Sequence, residues 1–354
     1  MPTDLKQYFR DDVLAMKPYV PGEQPLTGKA IKLNTNENPY PPSPKVIAAI
    51  QQASMRLERY PDPLATAFRI RAAEVLNVAP DQILCGNGSD DILTIITRAF
   101  VSPGSLLRLP YPSYILYRTL AELQGARSQE IDFATDWSLT SEFFTSSNDL
   151  KLVFLPNPNS PSGTLVSREQ IIELAEKLPC PLLVDEAYVD FAPFSCVDLP
   201  ARYSNIMVSR TLSKSYALAG LRFGYLVAHP DIIHTLRKVN DSYNTDTLSI
   251  AGATAAIDDQ TWLADNVRRC NATRDRMTAG LREIGFDVIP SHANFVWCSH
   301  PERRAEPLYQ QLKQNGILVR YMNYPRWRDG LRISVGTDSS IDAMLSLLKS
   351  FVER

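Results

Sequence analysis

The chain contains no apolar stretch near the roughly 18–20 residues that a membrane-spanning helix needs, so a helical membrane protein is not expected. It has no block of basic residues, and its net charge is only −2. The electrostatic footprint of a nucleic-acid binder or of a protein attached to anionic membranes is therefore missing. Cysteines number five, at positions 85, 180, 196, 270 and 298, with no Cys-x-x-Cys spacing. Neither a disulfide framework nor a zinc site is expected from them, and each reads as a small buried apolar residue. The four histidines, at 229, 234, 292 and 300, form no metal-ligand cluster. The N-terminal residues lack the apolar core of a secretory signal, so residence in the cytoplasm is expected. Internal repeats and low-complexity segments are absent. The glycines at 86 and 88 could begin a dinucleotide fingerprint, but Asp91 stands where its third glycine would be, which speaks against a nicotinamide dehydrogenase.

What is present is an ordinary globular composition, 44% hydrophobic and 21% charged over 354 residues, enough for two domains or one large α/β unit. Residues 1–44 are rich in Pro, Asn and Gly and read as an extended N-terminal arm. Helical segments are predicted near 45–59 and 65–76. From 83 onward short apolar runs (83–85, 106–109, 151–155, 181–184, 205–208 and 225–228) alternate with helical periodicity. This pattern predicts a mostly parallel sheet covered by helices on both faces, in a large domain spanning 45–245. After about Asp246 the pattern changes. Helices near 261–284, 306–314 and 340–351, with strands at 294–297, 317–320 and 331–335, predict a smaller α+β domain over 246–354.

In such a sheet, ligands sit outside the carboxyl ends of the strands, and the chemically distinctive residues follow successive strand candidates. Gly88, Ser89 and Asp90 follow the first, Tyr114 the second, Asn157 to Gly163 the third, Asp185 to Tyr188 the fourth and Lys214 the fifth. Lysine is a primary amine suited to imine formation. Ser213 and Arg222 offer a hydroxyl and a planar fork to phosphate oxygens. Pyridoxal 5'-phosphate (PLP) carries both an aldehyde and a phosphate. Gly88 would let the backbone approach closely, and the helix beginning at Ser89 would present free amides and a positive dipole end to the phosphate. Asp185 emerges from an apolar run where an unpaired carboxylate is costly, and a protonated pyridine nitrogen would be a fitting partner. Tyr114 could stack on the ring, and Tyr188 could bond its 3-hydroxyl. Bland readings stand beside these: Ser89 as a helix N-cap, Tyr114 as a loop anchor, and Asp185 as the partner of an arginine or amide cluster.

Taken together, the motifs resemble the fold-type-I PLP-dependent aminotransferases, and within them the histidinol-phosphate aminotransferases. They are Pro18-Tyr-Val-Pro-Gly22, Lys32-Leu-Asn-Thr-Asn-Glu-Asn-Pro-Tyr40, Arg59-Tyr-Pro-Asp62, Gly86-Asn-Gly-Ser-Asp90, Asp185-Glu-Ala-Tyr188, Arg210-Thr-Leu-Ser-Lys214, Gly220-Leu-Arg-Phe-Gly224, Ser291-His-Ala-Asn-Phe295 and Leu331-Arg-Ile-Ser-Val-Gly336. The resemblance implies reversible transamination between L-histidinol phosphate and 2-oxoglutarate in histidine biosynthesis. It implies that Lys214 holds PLP covalently and then moves the substrate proton. Asp185 would bind the pyridinium and Tyr188 the 3-oxygen, with Tyr114 stacked on the ring. Ser89, Ser213 and Arg222 would hold the phosphate, in a site that also includes Gly88, Asp90 and Thr211. Tyr60 would reach that phosphate from a second subunit, which implies a homodimer with shared active sites. Arg320 and Arg332 would take the carboxylate or phosphate of the substrates, and Tyr19 and Asn294 would line the substrate pocket.

The chain departs from the family pattern in three places, the slightest being Asp91 in place of a usual Glu. Ser160 occupies the position before Pro161 where the family's asparagine contacts the 3-oxygen, and Asn159 or Asn157 is expected to substitute for it, Asn159 being favoured. Ser242-Tyr243-Asn244-Thr245 replaces the usual Pro-Tyr-Asn-Val. The rival readings are an aromatic amino acid aminotransferase, a PLP-dependent decarboxylase of phosphorylated amino acids, and a PLP-binding regulatory domain. No segment is left over for the DNA-binding part of the last.

Overall fold

The computed structural model describes residues 4–18, 22–24, 30–327 and 329–353. Strands are numbered along the chain. β1 is Ile31–Leu33, and a large sheet follows from β2 (Ile83–Gly86), β3 (Leu106–Tyr111), β4 (Arg127–Asp132), β5 (Leu150–Pro156), β6 (Leu182–Asp185), β7 (Ile206–Thr211) and β8 (Gly224–Val227). A smaller sheet is built from β9 (Asp287–Val288), β10 (Phe295–Ser299), β11 (Ile317–Met322) and β12 (Gly330–Ser334).

The large sheet runs β2-β8-β7-β6-β5-β3-β4. Only β8 is antiparallel to its neighbours, so the carboxyl ends of β3, β5, β6 and β7 open on one edge. The alternation of the central strands explains why both faces are covered. Phe154, Leu183 and Met207 point to the side of the helix Ser89–Phe100, against Ile92, Leu93 and Ile96. Their neighbours Val153, Val184 and Val208 point the other way, towards Ile171 and Leu174 of the helix Arg168–Lys177. All five cysteines are buried free thiols.

The smaller sheet runs β1-β11-β12-β10-β9. Its edge strand comes from the arm, Ile31 to Leu33 pairing in parallel with Ile317 to Val319. Helices Gln260–Glu283 and Asp338–Val352 pack on this sheet through Met277, Leu281, Ile341 and Met344. The helix Thr247–Asp258 does not join them. Its Ile250, Ala253 and Ile257 pack with Val46, Phe68 and Phe223 in the core of the large unit. The boundary expected at 245/246 thus precedes a helix whose buried residues pack in the core of the large unit, and Leu263 of the following helix Gln260–Glu283 packs there too. No described helix is long and apolar enough to cross a membrane.

Candidate active site

The carboxyl ends of the large sheet, the arm and the β11–β12 ribbon enclose a cavity of about 900 Å³. Asp185 ends β6 and is buried there. One oxygen, Oδ2, accepts from Tyr117 Oη at 2.7 Å; the other accepts from Ser209 Oγ at 3.2 Å and from the Ala187 amide at 3.1 Å. Burial pushes the carboxyl up from its ordinary value, and these hydrogen bonds pull it back. An acid so held still faces an open volume, which is the geometry of a receptor for an incoming cation.

The next residue contrasts with it. Glu186 is equally buried but turns into the protein, where its carboxylate lies 3.1 Å from Arg210 Nε and accepts from Ser195 Oγ at 2.7 Å. Arg210 also approaches Asp190 at 3.6 Å, and Asp190 accepts from Ser215 Oγ. This network underlies the loop carrying Lys214. From above, Asn38 Nδ2 donates to the carbonyls of Lys214 and Ser215 at 3.0 and 3.2 Å. The loop is thus clamped between the arm and a buried ion network. Lys214 Nζ projects into the cavity, 3.4 Å from the Thr35 carbonyl oxygen and 5.7 Å from the centre of the Tyr188 ring.

At one end of the cavity Ser89, Thr211, Ser213 and Arg222 converge. Arg222 Nη1 donates to Ser213 Oγ and Nη2 to Asp90 Oδ2, both at 3.4 Å; Asp90 Oδ1 in turn accepts from Tyr114 Oη at 3.2 Å. Gly88 opens the helix with φ +84°, and a Cβ there would meet Arg222 Nη2 at 2.6 Å. A Cβ on Gly224 would come within 2.5 Å of the Ser89 amide. Both glycines keep the helix N-terminus, its free amides and the arginine close together, a donor set suited to a phosphate. At the opposite end Arg320 and Arg332 lie directly across from one another on β11 and β12, and both line the cavity. Arg332 donates to Ser160 Oγ at 3.0 Å and to the Asn34 carbonyl at 3.1 Å.

Three expectations are corrected or qualified. Asn159 does not reach the cavity: its amide donates to the Pro112 carbonyl and to Ser162 Oγ, bracing the loop, and Ser160 lines the wall instead. Asn294 does not line the pocket either, because its amide donates to the Asn36 carbonyl at 2.9 Å and holds the arm. Tyr60 is 81% exposed and stacks on Tyr243 at 4.6 Å, away from its own cavity. Tyr19 lies outside the described residues. Asn244 is turned into the fold, bonded to the Cys85 carbonyl and to Asp91 at 3.1 Å each. Tyr117, Ser209, Asn36 and Asn38 were not singled out from the sequence. The two asparagines lie inside the motif Lys32–Tyr40 and Ser209 begins the run that leads to Lys214, whereas Tyr117 carries no local signal.

The pattern defining the aminotransferase class I and II family matches residues 28–348. The histidinol-phosphate aminotransferase of Rhodopirellula baltica is 60% identical over 96% of this chain and 95% of its own length. Histidinol-phosphate aminotransferase 1 of Trichormus variabilis is 44% identical over 98% of this chain and 100% of its own. The crystal structure of histidinol-phosphate aminotransferase from Sinorhizobium meliloti in complex with pyridoxal-5'-phosphate superposes with a TM-score of 0.86 at 26% identity, covering 92% of this chain and 91% of that one. The chain belongs to the aminotransferase class I and II family and, within it, to the histidinol-phosphate aminotransferases.

Proposed function

We propose that the protein is a PLP-dependent transaminase that interconverts L-histidinol phosphate and 2-oxoglutarate with imidazole acetol phosphate and L-glutamate. The observation that carries the reading is Asp185, a buried carboxylate with three hydrogen-bond donors and, among the described residues, no ion-pair partner, in the same cavity as the Lys214 amine. The donor set fits the cofactor: hydroxyls and a guanidinium for a phosphate, an acid for a pyridinium and an amine for an aldehyde, all lining one cavity. When bound, PLP supplies a carbonyl that condenses with amines and a cationic ring that accepts the electron pair left by Cα deprotonation.

Ser89, Thr211, Ser213 and Arg222 would hold the phosphate. Asp185 would keep the ring nitrogen protonated, Tyr114 would cover the ring and Tyr188 would donate to its 3-oxygen. Lys214 would be the covalent anchor, and its amine, once free, would carry the proton between the substrate Cα and the cofactor carbon on the other side of the imine nitrogen. Arg320 and Arg332 orient the remote anion, phosphate in one half-reaction and carboxylate in the other, since a guanidinium fork accepts both. Tyr60, with the exposed Met55, Leu57 and Leu64 near it, belongs to the face that meets a second copy, and Tyr60 reaches the partner's phosphate corner. Cytoplasmic residence is part of the reading, and buried unpaired thiols suit a reducing compartment.

The test is product formation. Purified protein given L-histidinol phosphate and 2-oxoglutarate should release imidazole acetol phosphate and glutamate. Turnover confined to aromatic amino acids, or release of carbon dioxide without need for a keto acid, would replace the substrate assignment.

A further inference from the structure

Tyr188 lies against β10 with its ring edge-on to Phe295, centroids 5.0 Å apart, and lines the cavity. Among the described residues that hydroxyl has one hydrogen-bond partner, Asn36 of the arm, at 3.0 Å. A phenol bonded to an amide can either donate to the amide oxygen or accept from its nitrogen. Which of these holds decides where the tyrosine proton points.

The network behind Asn36 settles the choice. Ser334 Oγ accepts from the Asn36 backbone N–H at 2.8 Å and lies 3.0 Å from Asn36 Oδ1. A serine hydroxyl has one proton, and Ser334 is buried with no other acceptor for it among the described residues. With Oδ1 facing Ser334, that proton is satisfied and Nδ2 must face Tyr188. Turned the other way, the amide would leave the Ser334 proton buried and unpaired, at a cost that buried polar groups rarely carry. The Asn294 amide holds the Asn36 carbonyl at 2.9 Å, so the arm cannot swivel to relieve the arrangement.

We infer that Asn36, oriented by Ser334, is a positioning residue that obliges the Tyr188 hydroxyl to accept a bond from the chain and thereby to donate its own proton into the cavity. The inference rests on the proposed cofactor reading, in which that proton meets the 3-oxygen of PLP. It makes Tyr188 a committed donor before any ligand arrives, so its hydroxyl need not reorient during binding. It also ties this commitment to Asn36 and Ser334, which stand on the arm and on β12 rather than on the large sheet. Lys214, Asp185, Tyr117 and Arg332 share the cavity wall, and none is bonded to the Tyr188 hydroxyl.

A hydrogen bond donated to the 3-oxygen drains negative charge that would otherwise hold the neighbouring nitrogen proton. Losing the donor should therefore raise the pH at which the visible absorption of the bound cofactor changes. The experiment is a spectrophotometric pH titration of holoenzyme for wild type and for Tyr188→Phe, Asn36→Asp, Asn36→Leu and Ser334→Ala. Asn36→Asp places an acceptor where the donor was and should turn the proton inward, raising the midpoint as far as Tyr188→Phe does, by roughly one pH unit. Asn36→Leu and Ser334→Ala, which release the proton without redirecting it, should give smaller rises. Ser334→Ala removes only a hydroxyl and serves if the arm variants do not fold. A Tyr188→Phe rise with unmoved midpoints in the Asn36 and Ser334 variants overturns the inference and leaves the cofactor reading standing. An unmoved midpoint in Tyr188→Phe itself overturns the role of Tyr188 towards the cofactor, and the inference with it.

Discussion

Asp185 and Glu186 are adjacent in sequence and both are buried, yet their surroundings are built on opposite plans. Glu186 is enclosed with Arg210 at 3.1 Å and hydroxyl and amide donors, so its charge is answered inside the protein. Asp185 has donors of comparable number, no ion-pair partner among the described residues, and a place in the cavity that Lys214 also lines. Burial raises the pKa of both carboxyls, and at Glu186 the charge of Arg210 opposes the rise. An acid that serves the fold brings its cation with it, whereas one that serves a ligand is held ready at some expense to the empty protein. The same division separates Arg210, locked in the network beneath the lysine loop, from Arg332, presented to the cavity.

Substitutions on the two sides of this division should therefore change different quantities. The largest effect is expected from Asp185→Asn. Loss of the ion pair to the ring nitrogen should weaken PLP binding by roughly 10²–10³-fold, read by equilibrium dialysis. Apoprotein stability should hold or improve near neutral pH. Because burial raises the Asp185 pKa, the folded apoprotein retains its proton to higher pH than the unfolded chain does. Stability is then lost as pH rises from the unfolded carboxylate value through the raised one, and Asp185→Asn should remove that slope from denaturant midpoints measured across pH. An apoprotein strongly destabilised by this change would place Asp185 with Glu186 as a structural acid.

Glu186→Gln should do the reverse. It leaves Arg210 with Asp190 alone and should cost about 3 kcal/mol of unfolding free energy in apo- and holoprotein alike, with a much smaller change in PLP affinity. Chemical denaturation of both forms distinguishes this from a direct cofactor role. The smallest effect is expected from Arg332→Lys, which keeps the charge and loses the fork. KM for the keto acid should rise about tenfold with little change in melting temperature, as steady-state kinetics and thermal unfolding would show. A fall in melting temperature without a rise in KM would move Arg332 to the structural side.

Much of this architecture was legible from residue pattern. The apolar runs ending in Asp185 and Arg210 mark central strands and the one ending in Gly86 a buried edge strand, and each is followed by a residue with evident chemistry. The edge strand Arg127–Asp132 escaped because it is polar on both sides, with a single buried residue, Ile131. The helix Thr247–Asp258 escaped because alanine, glycine and threonine give it no apolar stripe, although it is buried among three other elements. Partners distant in sequence were invisible for a different reason. Tyr117 lies 68 residues from Asp185, and Asn36 lies 152 from Tyr188. Nothing local shows that such groups will meet. Asn159 was misplaced because neighbouring residues in a tight loop point in different directions: Ser160 faces the cavity, and Asn159 serves the loop.

The central claim is that the Lys214 amine carries the cofactor opposite the acid at 185. Reduction of the PLP-loaded protein with borohydride, followed by digestion and peptide mass mapping, tests it without reliance on turnover. The account predicts a single stable pyridoxyl adduct on the peptide containing residue 214, abolished in Lys214→Ala. An unmodified 214 peptide from folded, PLP-saturated protein, or the adduct on a different lysine, would contradict it.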